Sequence, residues 1–293
     1  MNNTVSVVCA SIGRPSLHDL IDNLARCDVV DEIIIVLPPK ECCDSNNFKI
    51  AFTLGHVRIF NSHVQGQVQQ RVFGVRQATK DYLLFIDDDI SITPNTIDTM
   101  LNFLLNLPGP AAIAPKIKFS GATNTKHEFR VDFFLIILKY IDRVLTLGVP
   151  NAPCSLSYFH HPFAVHSNNS NPSSVDWLPG GCILMPRRYA PMESYYNFSG
   201  KAYAEDIYLS HFLQSAGVSL YYDNSVYCNT HHDVISYEFN HRLFARLAIY
   251  QLSLANGGVT LFFLLVRISS HLILVFSVLL ILRLTRRLRI KAS

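Results

Sequence analysis

The fold is decided by the stretch Asp81-Tyr82-Leu83-Leu84-Phe85-Ile86-Asp87-Asp88-Asp89-Ile90, an apolar run that ends in three consecutive carboxylates. Four large apolar residues in a row, Leu83 to Ile86, predict a strand buried on both faces, as in the parallel sheet of an α/β domain. Such a strand brings the acids to its carboxyl end, and open α/β sheets bind their ligands beyond those ends. The sequence therefore predicts an α/β fold with a site at the acid-tipped strand.

The three adjacent carboxylates Asp87, Asp88 and Asp89 are the first candidate site residues. They repel one another when ionised, and a hard divalent cation with oxygen ligands relieves that repulsion. We therefore expect Mg²⁺ or Mn²⁺ carrying a phosphate group at this position. The alternative is a charged loop that merely ends a strand, and the triplet alone does not decide between the two interpretations.

The composition limits the class of protein. The chain has 293 residues, 49% hydrophobic and 16% charged, which suits one large α/β domain with an appendage or two modest domains. Six basic and no acidic residues follow Gly257, so the rest of this chain of net charge +3 carries −3. A mildly acidic body argues against nucleic acid as a partner. The seven cysteines form no C-x-x-C pair, which predicts reduced thiols in a cytosolic compartment.

Strands and helices alternate along the first half of the chain. Buried strands are predicted at residues 4–10, 32–37 and 56–60, with helices from Pro15 and over residues 66–78. A helix over 93–105, strands at 111–117, 182–186, 218–222 and 225–228, and a helix beginning near Tyr203 follow. This order predicts parallel crossovers and a doubly wound sheet. No G-x-G-x-x-G follows the first strand and no P-loop motif occurs, so phosphates must be held another way.

Two later stretches carry further candidates. The only tryptophan, Trp177, precedes the pair Gly180-Gly181, and a flat indole beside an approachable backbone suits a sugar or a nucleotide. The alternative is a tight turn packed by a core tryptophan. Glu205 and Asp206 stand where a helix begins, a common place for acids that interact with the helix dipole. They are also candidates for a general base.

Taken in order, these pieces resemble the family 2 glycosyltransferases, enzymes of the GT-A fold. The family pattern is a first strand ending near a small hydroxyl residue and an Arg, a G-x-x-x-x-R-x-x-G helix, a strand ending in D-x-D, a W-x-x-G-G stretch and an E-D pair. The matching residues are Ser11 and Arg14, then Gly66, Arg71 and Gly74, then Asp87 and Asp89, then Trp177, Gly180 and Gly181, then Glu205 and Asp206. The match covers roughly residues 4–232, and five weak motifs in order are specific.

The resemblance implies a nucleotide-diphosphate sugar as donor and Mg²⁺ or Mn²⁺ as cofactor. Asp87 would hold the donor ribose, and Asp89 would bind the metal with Asp87 as a second ligand. Asp206 would be the base that deprotonates the acceptor hydroxyl as it attacks with inversion, and Glu205 would support it or exchange roles with it. The donor would be bound by Ser11, Arg14, Arg71, Asp87, Asp88, Trp177, Gly180 and Gly181, and His231 or His232 would add a metal or phosphate contact.

Two departures from the family pattern affect the choice of substrate. The family often has an acid just after the second strand to recognise the base, whereas Pro38 and Pro39 stand there in this chain. The sequence therefore does not identify the base of the donor nucleotide. No Q-x-x-R-W, the mark of processive synthases, is present, which favours one transfer per encounter. The tryptophan-containing stretch looks most like transferases of bacterial surface polysaccharide assembly, which implies a lipid-linked saccharide or related acceptor.

The chain divides into a GT-A catalytic domain, residues 1–232, and a helical membrane-associated region, residues 233–293. Within the first, residues 118–174 are interpreted as an insertion on the acceptor side, with an apolar helix over 129–147. Residues 259–282 are long enough to span a bilayer, at about 36 Å as a helix, but Arg267 and His271 interrupt them. We expect a re-entrant or interfacial helical pair whose basic end meets anionic lipid at the cytoplasmic face of the inner membrane, the alternative being a buried core helix.

Two other functions are compatible with the sequence. A glycoside hydrolase would use two of these carboxylates and need neither metal nor nucleotide. A catalytically silent sugar-binding or scaffold protein of a membrane assembly complex would turn over nothing. Turnover of nucleotide sugars with and without a chelator distinguishes these from a metal-dependent glycosyltransferase.

Overall fold

The computed structural model describes residues 4–39, 55–119, 154–156, 162, 171–196, 202, 204–230, 249, 251–252 and 269. In chain order the elements are β1 Val5–Ala10, α1 Ser16–Leu24, β2 Val30–Leu37, β3 Val57–Asn61, α2 Gln67–Gln77, β4 Tyr82–Asp87, β5 Ile90–Ser91, α3 Pro94–Leu105, β6 Ala111–Phe119, β7 Ser173–Ser174, β8 Cys182–Pro186, a short 3₁₀ turn Arg187–Tyr189, α4 Glu205–Ser215 and β9 Ser219–Thr230. The alternation of strand and helix predicted for residues 4–117 is confirmed.

The nine strands of the described residues belong to one sheet, in which β3-β2-β1-β4-β8-β6-β9-β5 are successive neighbours and β7 pairs with β9. β3, β2, β1 and β4 run parallel to one another, and β6 is parallel to β9. β8 lies antiparallel between β4 and β6, so it begins at the edge where these parallel strands end. The predicted doubly wound sheet is therefore confirmed, as a mixed and mainly parallel one, and the loop that precedes β8 is brought to the carboxyl end of β4.

The sheet is covered on both faces. Leu83 and Phe85 of β4 pack into the cluster that contains α2 and α4, whereas Leu84 and Ile86 pack into the cluster that contains α1 and α3. All four side chains are fully buried, as the apolar run predicted. Burial of such a side chain stabilises the fold by about 1.5–3 kcal/mol, so β4 is anchored firmly at the centre of the sheet.

Helix α2 approaches the sheet closely because it carries a glycine on its inner face. A Cβ added at Gly74 would lie 2.4 Å from Val8 Cγ1 of β1 and 3.2 Å from Val36 Cγ2 of β2. The remaining inner positions include Val68, Val72 and Val75, which are buried. The close packing holds the polar inner residues of α2 directly over the carboxyl ends of the strands.

One predicted boundary was wrong: the two strands predicted at 218–222 and 225–228 are a single strand, β9, Ser219–Thr230. Strand β9 pairs with β6 throughout, and its register shifts between Pro115 and Lys116, where Asp223 and Tyr227 are the successive partners. The extra residues are accommodated because Asp223 Oδ1 accepts hydrogen bonds from the Ser225 N–H and hydroxyl, at 2.8 and 2.6 Å. This local bulge replaces the predicted break.

Several predictions fall on residues outside the described ranges. These are the helix over 129–147, His231 and His232, and the apolar segment 259–282 apart from one residue. The boundary near residue 232 stays a prediction as well. Within the described part of the chain, none of the helices has the length and apolar character needed to cross a bilayer.

Candidate active site

Asp87 is the last residue of β4 and lies at the carboxyl edge of the sheet. Its side chain is 28% exposed, and its Oδ1 accepts hydrogen bonds from Arg71 Nη2 at 2.7 Å and Gln67 Nε2 at 2.9 Å. A Cβ at Gly181 would lie 3.7 Å from Asp87 Oδ2, so the glycine keeps that side of the carboxylate open. Burial raises the pKa of Asp87 to about 6, with Glu205 and Asp89 adding to the shift and Arg71 opposing it.

Asp88 is buried and joins the loop after β1 to the end of β4. It is 5% exposed and accepts hydrogen bonds from the Ser11 hydroxyl at 2.6 Å and Arg14 Nη1 at 3.0 Å. Its carbonyl oxygen accepts a further bond from the Ser16 hydroxyl at 2.7 Å. In this structure Ser11 and Asp88, both predicted to bind the donor, therefore act on each other and set the shape of the loop.

Asp89 contacts the same arginine and is partly exposed. Arg14 Nη1 contacts Asp89 Oδ2 at 2.8 Å while also bonding Asp88, and the Arg14 side chain is 37% exposed. The Asp89 side chain is 14% exposed. Arg14 thus neutralises part of the charge of the acidic triplet from the solvent side and leaves Asp89 at the edge of the site.

Arg71 is the central cation of the site and is fully buried. It donates from Nη1 to Glu205 Oε1 at 2.6 Å and from Nη2 to Asp87 Oδ1 at 2.7 Å and the Gly180 carbonyl at 2.9 Å. Burial alone would lower its pKa, but Glu205 and Asp87 raise it well above the ordinary value. Arg71 was predicted to bind the donor, yet its side chain is enclosed by protein and instead joins α2, β4 and the start of α4.

Glu205 is buried at the first position of α4, and both of its carboxylate oxygens have protein donors. Oε1 accepts from Arg71, and Oε2 accepts from the Tyr195 hydroxyl at 2.9 Å. A Cβ at Gly180 would lie 2.7 Å from Glu205 Oε1, so only glycine allows this approach. Ala204, just before the helix, has a left-handed φ of 56°, a strained conformation for a residue with a Cβ, which sets the direction of the helix start.

Asp206 is the neighbouring acid and has a different environment. It is half-buried, and its Oδ1 accepts a hydrogen bond from the backbone N–H of Ile207 at 3.0 Å. Burial raises the pKa of Asp206 to about 7, and the negative charge of Glu205 adds to the shift. Within the described part of the chain, Arg71 and Tyr195 hold the carboxylate of Glu205, whereas the carboxylate of Asp206 accepts a backbone N–H.

The side chain of Trp177 packs into the core of the protein. Trp177 is 8% exposed and belongs to the core cluster on the α4 side of the sheet, so little of its indole face is available to a ligand. The alternative interpretation, a turn packed by a core tryptophan, fits this placement better. Gly180 and Gly181 lie at the site, since the Gly181 carbonyl accepts the Asp87 backbone N–H at 3.0 Å.

Two residues of the site were not predicted. Gln67 reaches Asp87 from the first position of α2, and Tyr195 reaches Glu205 from the segment that follows the 3₁₀ turn. A polar residue next to Gly66 at a predicted helix start was a usable signal for Gln67. No sequence signal links Tyr195 to Glu205, because the bond depends on the path of the chain between them.

The acidic triplet fits a divalent cation in its chemistry. Asp87 and Asp89 offer hard carboxylate oxygens at the crevice, and Mg²⁺ is commonly held by one or two carboxylates together with substrate phosphates and water. Within the described ranges no three His, Cys, Asp or Glu side chains form a metal-binding group. His231 and His232, the other predicted ligands, lie outside those ranges.

A family model matches part of the chain that includes this site. Residues 47–164, less than half of the chain, match Glycosyl transferase family 2. The matched segment contains α2, β4 and α3, and with them Arg71 and the three acids of the triplet. The resemblance to the family 2 glycosyltransferases that the motifs predicted is therefore confirmed. No curated protein matches the chain.

The fold is similar to that of solved glycosyltransferase structures at low sequence identity. GalNAc-T7 with UDP, GalNAc and Mn²⁺ is 12% identical with a TM-score of 0.56, over 79% of this chain and 44% of that chain. Glucosyl-3-phosphoglycerate synthase from Mycobacterium tuberculosis with Mn²⁺, UDP and phosphoglyceric acid is 15% identical with a TM-score of 0.52, over 87% of this chain and 78% of that one. The same enzyme with Mg²⁺ and UDP is 15% identical with a TM-score of 0.52, over 88% of this chain and 80% of that one. The chain spans less than half of the GalNAc-T7 chain, and at these identities the likeness shows the GT-A fold alone.

Proposed function

We propose that this protein is a metal-dependent glycosyltransferase that moves a sugar from a nucleotide-diphosphate sugar to a hydroxyl acceptor. One observation carries the proposal: at the carboxyl edge of a GT-A sheet, Arg71 joins a donor-side acid, Asp87, to the acid pair that contains the candidate base, Asp206. Two kinds of acid are thus held at one edge of the sheet. Asp87 suits a cation and a diphosphate, whereas Asp206 suits proton removal.

A uridine nucleotide is the first donor to test. The similar structures of GalNAc-T7 and of the mycobacterial synthase contain UDP together with Mn²⁺ or Mg²⁺. Pro38 and Pro39 stand where the family often has an acid that recognises the base, so the preference among nucleotides and sugars is an experimental question. In the proposal, Asp87 and Asp89 hold the divalent cation, which when bound neutralises charge on the donor diphosphate. Asp87 alternatively holds the donor ribose.

Asp206 is the proposed general base. The acceptor hydroxyl oxygen bonds to the anomeric carbon, the bond from that carbon to the diphosphate oxygen breaks, and Asp206 takes the hydroxyl proton. A direct displacement of this kind inverts the anomeric configuration. Glu205, the other candidate, is a poor base in this position because Arg71 and Tyr195 already engage both of its oxygens. The same engagement argues against a hydrolase that would need both carboxylates at the substrate.

The acceptor and the location extend the proposal. We propose a lipid-linked saccharide or related acceptor, one transfer per encounter, and attachment to the cytoplasmic face of the membrane through residues 233–293. The support is the apolar segment 259–282, the six basic residues after Gly257 and the lack of a Q-x-x-R-W motif. Truncation before Gly257 is expected to release the protein from membranes while donor hydrolysis persists. Retention of the truncated protein on membranes would contradict this part of the proposal.

The proposed activity is tested by turnover of UDP-sugars with Mn²⁺, with Mg²⁺ and with a chelator. The expected result is release of UDP that requires the cation, with binding of UDP weakened by the chelator. Asp206→Asn should leave the affinity for UDP nearly unchanged and lower the transfer rate roughly 10²–10⁴-fold, the usual contribution of a general base. Asp22→Asn, a carboxylate on the exposed side of α1, serves as the matched control. Cation-independent turnover, or full activity of Asp206→Asn, would refute the assignment.

A further inference from the structure

Glu205 is fixed by contacts from three separate segments of the chain. Arg71 of α2 holds one oxygen at 2.6 Å, and Tyr195 holds the other at 2.9 Å. The backbone at Gly180 passes so close that a methyl group there would meet Glu205 Oε1 at 2.7 Å and Asp206 Cβ at 3.2 Å. A buried carboxylate with this number of partners has little freedom to move. Its negative charge is therefore kept at one place beside Asp206.

We propose that Glu205 and Tyr195 are positioning residues: Glu205 acts on Asp206 as a fixed negative charge, and Tyr195, together with Arg71, keeps that charge in place. This inference rests on the proposed function, because it takes Asp206 as the base of the transfer. It assigns a role to Tyr195 that the family resemblance did not supply. It also gives the two acids different roles: Asp206 is the base, and Glu205 is the fixed charge beside it.

The electrostatic environment of Asp206 supports these two roles. Among the described residues, the charge of Asp206 is coupled to Glu205 at the start of α4, to Arg71 on α2 and to the Cys154 thiol of the segment 154–156. Burial is the largest cause of the raised pKa of Asp206, the charge of Glu205 adds to it, and Arg71 opposes it more weakly. A base is most effective when its pKa lies near the working pH, so the contribution of Glu205 to a pKa of about 7 strengthens the basicity of Asp206.

Tyr195 is needed because Arg71 does not serve Glu205 alone. The same guanidinium also holds Asp87 and the Gly180 carbonyl, and it contacts only one of the two Glu205 oxygens. The Tyr195 hydroxyl donates to the other oxygen. Burial and the adjacent Glu205 raise the pKa of Tyr195 well above its ordinary value, so the hydroxyl keeps its proton and remains a donor at any working pH.

The variant Glu205→Gln tests the role of the charge. The amide keeps the shape and can accept from Arg71 while donating to the Tyr195 oxygen, so only the negative charge is removed. The acidic limb of the pH profile of kcat/KM should move to lower pH by about one unit or more, because a like charge near Asp206 has gone. Loss of the limb with a fall of roughly 10²–10⁴-fold would instead make Glu205 the base. A limb that stays in place would leave Glu205 with a purely structural role and refute the proposal.

The variant Tyr195→Phe tests the positioning hydroxyl. It should lower kcat about tenfold while the KM for the donor stays within about twofold, since the lost bond is to a charged group on the base side. Tyr221→Phe, whose ring packs edge-on against Phe103 in another part of the fold, is the matched control and should be unchanged. If Tyr195 acts through Glu205, adding Tyr195→Phe to Glu205→Gln should cost less than twofold more. Full additivity of the two changes would refute that route.

A direct titration separates this inference from the proposed function. Carbon-13 NMR of labelled aspartate carboxyls, assigned with Asp206→Asn, follows Asp206 in the full-length protein without any substrate. The expected result is a midpoint near 7 that falls by about one unit or more in Glu205→Gln and does not change in Tyr221→Phe. If no nucleotide sugar is turned over but this shift occurs, the proposed function fails and the Glu205–Asp206 coupling stands. If Asp206 titrates identically in wild type and Glu205→Gln, the coupling itself is refuted.

Discussion

Replacement of Arg71 by methionine should destabilise the protein strongly at neutral and alkaline pH. Arg71 is fully buried and compensates Asp87 and Glu205, whose side chains are 28% and 8% exposed. Methionine fills much of the same volume but leaves both carboxylates without their cation. Removal of one partner from a buried ion pair typically costs about 3–5 kcal/mol because the other charge stays buried. We expect a loss of that size in the free energy of unfolding at pH 8.

The loss should shrink as the pH falls. The pKa of Asp87 in the folded protein, about 6, lies above its ordinary value of 3.8, so protonation of Asp87 stabilises the fold. This contribution is fully present below pH 3.8 and is lost as the pH rises through 6. Arg71 lowers this pKa, and its removal therefore raises it further. At pH 5 the orphaned Asp87 of the variant takes up a proton, and the burial penalty on its charge disappears.

Urea unfolding followed by circular dichroism at pH 8 and pH 5 measures both effects. The difference between wild type and Arg71→Met should be larger at pH 8 by about 1.4 kcal/mol for each unit that the pKa of a carboxyl rises. Adding Glu205→Gln to Arg71→Met should recover part of the loss, since one of the two uncompensated charges is then absent. Equal losses at both pH values, without recovery in the double variant, would show that Arg71 stabilises the fold through packing.

Three further outcomes are expected. Asp89→Ala should abolish the cation-dependent rise in melting temperature with UDP. It should change the free energy of unfolding without ligand by less than about 1 kcal/mol, because the ion pair of Asp89 with the part-exposed Arg14 is weak. An unchanged response to the cation would contradict the metal role of Asp89. The kcat/KM of the wild type should rise with pH through about 7 and then level off, because the proposed base Asp206 can take up a proton only when it is ionised. A flat profile from pH 5 to 8 would exclude Asp206 as the base. Gly74→Ala should destabilise the fold by about 1–3 kcal/mol in thermal unfolding, because its methyl would meet Val8 at 2.4 Å, whereas Gly109→Ala, with nothing within 4 Å, should not.

The elements of the fold were predictable because each is encoded locally. The four apolar residues before Asp87 identify a strand buried on both faces without reference to any other part of the chain. The acids at its end indicate the site for the same reason, since a strand in a parallel sheet leads to the ligand-binding edge. Strand β9 was divided wrongly because the bulge at Asp223 depends on pairing with β6, which periodicity within one segment does not contain.

The roles within the site were less predictable because they depend on contacts between distant residues. Arg71 and Glu205 are 134 positions apart, and nothing near either one indicates that they meet. The motifs place Ser11 and Asp88 at the correct edge of the sheet, but only the structure shows that they bond to each other. Exposure was equally unpredictable for Trp177, since a tryptophan beside two glycines can cover a ligand or fill a core.

The charge of the site bears on the order in which ligands bind. Among the described residues, the crevice and its supports contain five carboxylates, namely Asp87, Asp88, Asp89, Glu205 and Asp206, but the guanidiniums of only Arg14 and Arg71 pair with them. A donor diphosphate would add negative charge to an edge that already has an excess of it, and Arg71 is enclosed and cannot turn to meet it. Partial protonation of Asp87 and Asp206 reduces this excess without removing it. A divalent cation at Asp87 and Asp89 is therefore expected to bind before or together with the nucleotide, and this is why the chelator should weaken the binding of UDP itself as well as its turnover.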